Sequence, residues 1–478
     1  MIRLYKNSDL ELVDNNLDEV IDKIEVTRKQ EYPRPSDKIE ATADSATPVL
    51  FPVPSDEDIN AIVSITLDFV KRKKRKIYGG YAQNNVIKAL NANDAFYDNT
   101  VIPDIDVYSP TPIEDLIELC NILHDQGYTD VIGKEAQHKE TYKIFTRKYN
   151  AIDLSYAPTQ IYNSIPYVEI DDIRYVHPGF SMIDLYKMMT EPLFSSWRWK
   201  KTFPRLYLLQ KHYPLKEIHN NLTAYKHTSN MSKAVDVIEQ FVLNNENVYL
   251  FGDIAYNYFA NKVTHKHITP VNVNVYNIIS TNYKSDVFDI LGKFKTANVN
   301  ITYEEYYPFW TFVGYGVEIS YNGEVILKMY NNLTKCTPII KIDHTYLKHT
   351  GYLQIGSFDF TMLMEMIMVF RQRVLRNKNK HDYHGKIITN LTHAREIYLK
   401  QHKLTLLDDS PFKSFCSDCI GVASDPKTEA LKNKKKRKEN NKMTFMYKPV
   451  REVKTKWIFA NTSGNKISNP KNLKLKNK

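Results

Sequence analysis

A strand–glycine–helix unit occurs twice in this chain, and the repetition constrains the fold more than any single motif. Tyr78-Gly79-Gly80-Tyr81-Ala82 follows the short apolar strand Ile77-Tyr78 and leads into a helix from about Ala82 to Leu90. Phe251-Gly252-Asp253-Ile254-Ala255 follows the apolar run Val248-Tyr249-Leu250-Phe251 and leads into a helix from Ile254 to Ala260. Roughly 20 residues on, each copy has an alternating segment ending in Val-Tyr. It reads Asp104-Ile105-Asp106-Val107-Tyr108 in the first and Asn272-Val273-Asn274-Val275-Tyr276 in the second. A further strand, 150–156 with Asp153, is answered by Val325 to Tyr330 with Lys328. Alternating periods of this kind predict an α/β (α+β) fold, a mixed sheet with helices packed on it. The repetition predicts a second, degenerate copy of it.

The expected organisation follows. Residues 1–54 read as an N-terminal arm, 55–190 as a catalytic domain and 191–235 as a helical connection. Residues 236–402 read as the degenerate copy with helices, mainly helical over 357–402, and 403–478 as a basic, partly disordered tail. Ser55 before Asp56-Glu57-Asp58 is a helix start, and the run Lys71 to Lys76 suits a helix end. The net charge of +10 is uneven: residues 421–478 hold 17 Lys/Arg against 4 Asp/Glu, a net of +13. The body is slightly acidic, and a basic tail favours contact with a polyanion. Four cysteines argue against a disulfide scaffold and for a reducing compartment. No apolar run reaches the ~18 residues of a membrane span, and no signal peptide is visible, so a soluble intracellular protein is expected.

The chemistry gathers around five residues. Glycines at Gly79-Gly80 let the backbone approach a bulky anion, and the next helix offers free N–H groups and the positive end of its dipole. On a strand, Asp104 and Asp106 point to one side. Two like charges there need a cation, and oxygen ligands suit a hard divalent ion. Asp153 sits between aliphatic neighbours, out of pattern for a core, and fits a third carboxylate from an adjacent strand. Three such acids can hold two metal ions about 3.5–4 Å apart and clamp an in-line phosphoryl displacement, with Asp153 a possible proton acceptor.

The combination resembles the DNA polymerase β-like nucleotidyltransferase superfamily. More closely, Ile77-Tyr78-Gly79-Gly80, Pro103 to Pro110 and Asp153-Leu154-Ser155-Tyr156 resemble the catalytic subunits of poly(A) polymerases from poxviruses, asfarviruses and giant amoebal viruses. Ile165-Pro166, His177-Pro178, Phe194 to Arg205 and Tyr213-Pro214 also fit, so the resemblance covers about residues 60–400. The Asn/Lys/Tyr bias leans toward a giant-virus member. The resemblance implies template-independent addition of a poly(A) tail from ATP to mRNA 3′ ends, with Mg²⁺ or Mn²⁺ as two ions. It implies a virion and host-cytoplasm (viral factory) location. It also implies a second domain without active-site acids, and either a homodimer or a cap-methyltransferase subunit as processivity partner. A terminal uridylyltransferase and a non-catalytic RNA-binding subunit stay open as alternatives.

Further candidates surround this set. Trp197-Arg198-Trp199-Lys200-Lys201 with Arg205 mixes cations and rings, so it could grip a triphosphate and stack on a base, with Lys200 and Lys201 on the phosphates. A structural helix with buried tryptophans explains it equally well. Tyr186 and Lys187 are weaker nucleotide candidates. Arg371, Arg373, Arg376, Lys378 and Lys380 form a basic cluster for RNA backbone. The run Lys71 to Lys76 precedes the first strand, so it should lie on the far edge from any ligand. Cys416 and Cys419 with His381 and His384 could make a zinc site, but ordinary free thiols are preferred.

Overall fold

The computed structural model describes residues 54–97, 103–136, 138, 140–214, 232–332, 336–343, 351–421, 428, 431, 432, 435 and 445–449. The described residues fall into two units, one with 54–61 and Arg147–Tyr149, the other with Ile62–Thr146 and those from Asn150 on. In the first, Arg147 Nη1 donates to Asp58 Oδ2 at 2.7 Å. The second holds both sheets.

Among the described residues the first sheet has eight strands. They are β1 (Lys76–Tyr78), β2 (Asp106–Ser109), β3 (Ile132–Glu135), β4 (Thr141–Thr146), β5 (Tyr149–Tyr156), β6 (Tyr167–Ile170), β7 (Ile173–Val176) and, from the tail, β16 (Met446–Tyr447). The second is built from β8 (Val248–Phe251), β9 (Tyr276–Ser280), β10 (Ile301–Tyr306), β11 (Gly316–Tyr321), β12 (Glu324–Asn331), β13 (Thr337–Asp343), β14 (Tyr352–Gly356) and β15 (Cys419–Ile420). Their orders are β16-β3-β4-β5-β2-β1-β7-β6 and β10-β11-β12-β9-β8-β14-β13-β15. Seven strands correspond one to one, from β3 with β10 through to β6 with β13. The pairing senses agree too: β1–β2 and β8–β9 are antiparallel, β2–β5 and β9–β12 parallel, β1–β7 and β8–β14 parallel. The repeat read in the sequence is therefore a repeat of topology.

Its register differs from the sequence reading. Tyr78 lies opposite Asp106, and Phe251 lies opposite Asn277. Asp106 lies opposite Asp153, and Asn277 opposite Lys328. Asn277 is thus the counterpart of Asp106 and Val275 that of Asp104, three residues beyond the Asn272 and Asn274 expected. A buried hydrogen bond marks the same register. Ser109 Oγ donates to Asp115 Oδ2 and Ser280 Oγ to Asp286 Oδ2, each at 2.5 Å, with each aspartate in the first turn of the next helix.

Element ends shift in instructive ways. Gly79 and Gly80 begin the helix Gly79–Lys88 rather than preceding it. The expected strand Val101 to Tyr108 begins at Asp106, although Asp153 N still donates to Ile105 O at 2.9 Å. The helical stretch 357–402 is two helices, Phe358–Val374 and Lys378–His402, broken at Arg376 with φ 56°.

The run Lys71 to Lys76 is engaged with the fold. Lys71 pairs with Asp172 at 2.8 Å, Arg72 with Glu118 at 2.7 Å and Lys73 with Glu118 at 2.9 Å. Arg75 makes a two-pronged bond to Asp115 at 2.6 and 2.9 Å. Lys76 is buried in β1, its ammonium donating to the carbonyls of Tyr162 and Ile165 at 2.5 and 2.7 Å. Burial, with Arg174 and Arg373 nearby, brings its pKa down to about 8.

Two expectations about the C-terminal part change. Cys336 and Cys419 form a disulfide with Cα atoms 5.3 Å apart, placed together where β13 pairs with β15. Cys416 is a free thiol, as preferred, and no zinc cluster with His381 and His384 exists among the described residues. Within the basic tail, Met446–Tyr447 adds to the free edge of β3, with Tyr447 buried and its hydroxyl donating to Asn121 Oδ1 at 2.6 Å. No helix among the described residues is long and apolar enough to cross a membrane.

Candidate active site

The strand order places β5, β2 and β1 side by side, and each contributes one part of the site. Gly79 follows β1 with φ +72°, a conformation that L side chains rarely adopt. A Cβ there would lie 2.5 Å from Asp106 Oδ2. The glycine therefore lets a carboxylate stand against the first turn of a helix. Gly80 is in contact on another side, its missing Cβ 2.5 Å from the Tyr97 hydroxyl and 3.1 Å from Arg205 Nη1.

Asp106 is half-buried and Asp104 exposed just before the strand. Burial first, then the like charges of Asp153 and Asp104, push the Asp106 carboxyl up to about 7. This is the electrostatic signature of carboxylates converging without enough positive charge. Asp153 has taken an internal substitute. Lys143 on β4 pairs with its Oδ2 at 2.7 Å, and Asn150 Nδ2 donates to its Oδ1 at 2.7 Å. The Asn150 Oδ1 is buried without a hydrogen-bond partner among the described residues. With Asp153 turned to Lys143, no three acids close into a metal cage among the described residues. The donor set is nonetheless all oxygen and under-neutralised, which suits a hard divalent cation.

Beneath the aspartates lies an aromatic floor. Tyr78 stacks on Tyr108 with centroids 3.9 Å apart, and the Tyr78 hydroxyl shares a 2.8 Å hydrogen bond with Ser155. Asp184 lies close to Tyr108, and burial pushes its carboxyl upward. Trp310 from the second sheet's β10–β11 loop packs edge-on against Tyr108 at 5.4 Å and donates to Tyr156 O at 3.3 Å.

The cations divide by helix face. In the helix Trp199–His212 and the turn before it, Arg198, Lys201 and Arg205 recur at spacings of three and four, so they share one side. Burial and the neighbouring Arg198 and Arg205 hold Lys201 below the usual lysine range, with Asp104 acting against them. Arg205 Nη2 donates to the Tyr97 hydroxyl at 2.8 Å and its guanidinium lies over Phe96 at 4.6 Å.

The candidates read from the sequence separate accordingly. Both Lys200 and Lys201 are exposed, but only Lys201 shares the face of Arg198 and Arg205 and feels the charge of Asp104. Tyr186 is not available to a nucleotide: it is fully buried, its hydroxyl accepting from Gln210 Nε2 at 3.4 Å. Lys187 stands at the margin, near Asp184 and His138. The basic cluster near 371–380 is partly used in packing. Arg373 Nε donates to Ser164 O at 2.9 Å, and Arg371 lies over the rings of Tyr306 and Phe309 at 6.0 and 5.9 Å. Arg376, Lys378 and Lys380 are exposed. The sequence reading missed Lys143 and Asn150. Lys143 lies ten residues before Asp153 on a neighbouring strand, and only the pairing of those strands reveals it.

The second sheet repeats the scaffold without the acids. Gly252 has the same φ of 72°, but its missing Cβ faces Asn277 Nδ2 at 2.9 Å. Lys328 occupies the place of Asp153 and pairs with Glu318, the ion pair of Lys143 and Asp153 with its signs exchanged. Asn277 and Lys328 offer no carboxylate to a metal ion.

Comparison with known proteins is consistent with this geometry. A family model described as poly(A) polymerase catalytic subunit matches residues 64–195. A second, for the C-terminal part of the APMV poly(A) polymerase catalytic subunit, matches residues 208–477. A poly(A) polymerase catalytic subunit of Acanthamoeba polyphaga mimivirus is 34% identical over 464 residues, 88% of this chain and 80% of its own length. One from African swine fever virus (strain Badajoz 1971 Vero-adapted) is 30% identical over 166 residues, 33% of this chain and 34% of its own. The crystal structure of the Megavirus polyadenylate synthase shares 32% identity at a TM-score of 0.77, covering 99% of this chain and 95% of that one.

Proposed function

Because this chain belongs to the family of viral poly(A) polymerase catalytic subunits, we propose that its poly(A) addition is carried out at Asp104, Asp106 and Asp153, with ATP held between the helix Gly79–Lys88 and the cations of Trp199–His212. The juxtaposition of Asp106 with both Asp153 and Gly79 carries this reading.

The helix beginning at Gly79 directs its first N–H groups toward phosphate, and Lys201 and Arg205 add charge on the same side. Asp104, Asp106 and Asp153 would hold Mg²⁺ or Mn²⁺. Such ions, when bound, lower the pKa of the attacking 3′-hydroxyl and neutralise the leaving pyrophosphate. Asp106, poised near neutrality, loses its proton more readily once positive charge is present. Asp153 must exchange Lys143 for a new partner, which leaves that ammonium close to the reacting phosphates. Strands β2 and β5 hold Asp106 and Asp153 side by side, with Asp104 just before β2, so the spacing of the two strand acids is set by sheet geometry.

The reading of the chain as a non-catalytic RNA-binding subunit is disfavoured by one observation. The acids are absent from the second sheet and complete in the first. Addition of uridylate is tested directly: primer extension with each nucleotide supplied alone and Mg²⁺ should show ATP used far ahead of the rest. Equal use of all four would refute the choice of ATP. The relatives are viral, and we place the enzyme in the virion and the host-cell cytoplasm, in viral factories. A second copy of the chain or a cap-methylating subunit is the partner the family implies, and the solution mass of the purified chain separates them.

A further inference from the structure

The second sheet carries a cavity of about 330 Å³ lined by Tyr283, Glu305, Tyr306, Tyr307, Tyr315 and Gly316. We propose that it binds an unpaired purine base of single-stranded RNA, adenine by preference, outside the reacting centre. The inference rests on the poly(A) reading and adds to it a place for RNA already made.

Four of the six lining residues are tyrosines. Tyr307 is 89% exposed and Tyr315 53%. Rings exposed in pairs beside a cavity suit base stacking, which is sequence-tolerant because every base has a π face. The polar groups add selectivity. The Tyr283 hydroxyl is buried and has no hydrogen-bond partner among the described residues. Burial, and then Glu305, push its pKa up to about 12, so it stays a donor. A ring nitrogen of a purine would accept from it. The Glu305 carboxylate is an acceptor for an exocyclic amino group, which adenine has and uracil lacks. Tyr306 is held by Glu318 and Arg371 and forms a fixed wall. No cationic side chain lines the cavity among the described residues, so the base and not the phosphate is what it can read.

Position supports the assignment. Tyr307 and Tyr315 flank the loop between β10 and β11, which closes on itself at a Phe309–Val313 bridge. The tip of that loop, Trp310, packs on Tyr108 in the floor of the candidate active site. The cavity therefore lies at the base of a loop whose tip touches the catalytic sheet, within reach of a strand leaving the site.

The test uses the full chain and labelled oligo(A), oligo(U) and oligo(C) in fluorescence anisotropy at fixed salt. Tyr307→Ala and Tyr315→Ala should each weaken oligo(A) binding by about ten-fold, the loss expected from one stacked base. Tyr307→Phe should bind as wild type, because the ring and not the hydroxyl does the stacking. Glu305→Ala should erase the preference for oligo(A) over oligo(U), and KM for ATP should be unchanged in all four. Wild-type affinity in both alanine variants would overturn the proposal and point to a protein-facing surface. Equal weakening of every oligonucleotide, with no effect of Glu305→Ala, would overturn the choice of a purine. A wild-type enzyme that failed to extend RNA with ATP would sink the underlying reading instead, and the binding comparison would still stand.

Discussion

Gly79 and Gly252 are matched in conformation and opposed in chemistry, so changing each to alanine isolates what the glycine does for catalysis. Both have φ of 72°, and holding an L side chain there costs on the order of 1–3 kcal/mol. At about 2–4 °C per kcal/mol for domains of this size, each variant should lose about 2–12 °C in Tm. Activity should diverge. The new Cβ of Gly79→Ala meets Asp106 Oδ2 at 2.5 Å, against an ordinary contact of 3.4 Å or more. The carboxylate must retreat by about 1 Å, a misplacement that costs on the order of 10²-fold in rate. In Gly252→Ala the Cβ meets the amide of Asn277, which does no chemistry. Initial rates of AMP incorporation on a short RNA primer, with differential scanning fluorimetry of the same samples, check both halves. Gly79→Ala retaining near wild-type rates, or Gly252→Ala losing as much as Gly79→Ala, would refute the reasoning.

The remaining predictions rest on charge. Asp106→Asn should abolish extension yet stabilise the metal-free protein. The native carboxyl titrates near 7 against an ordinary 3.8, so its stability contribution is present at low pH and lost as pH rises from about 4 through about 7. The variant's Tm advantage in EDTA should accordingly be absent at acid pH and complete at pH 8, and the rise in Tm on adding Mg²⁺ should shrink. Arg205→Ala should raise KM for ATP by about ten-fold, the weight of one charge-assisted hydrogen bond, whereas Lys200→Ala should leave it unchanged. Lys71→Glu should leave RNA affinity within about two-fold at moderate salt, since that lysine is an exposed ion-pair partner of Asp172.

Much of this site was legible before any coordinates, and the parts that were not share a cause. Gly79, Asp106 and Asp153 stood out because each breaks a local rule: glycine at a strand end, an acid amid aliphatic neighbours. The duplication was legible for the same reason, but its register was not. Asn272-Val273-Asn274-Val275-Tyr276 imitates Asp104-Ile105-Asp106-Val107-Tyr108 in letters, while the structural counterpart of Asp106 is Asn277. The signal that aligns them is the serine with its aspartate six residues on, Ser109 with Asp115 and Ser280 with Asp286, a buried pair that polar composition alone does not flag. Lys143, the Cys336–Cys419 disulfide and the edge strand at Met446–Tyr447 depend on which strands lie side by side, and no local pattern encodes that. Tyr186 misled in the opposite direction, a polar tip on a side chain whose environment is all interior.

The central claim is that the first sheet holds the chemistry and the second has given it up. Asp153 and Lys328 occupy equivalent places in the two, so the rate of AMP addition to an RNA primer in Asp153→Ala and in Lys328→Ala tests it directly. Extension should fall to background in Asp153→Ala and persist near the wild-type rate in Lys328→Ala. Activity surviving in Asp153→Ala would contradict the account.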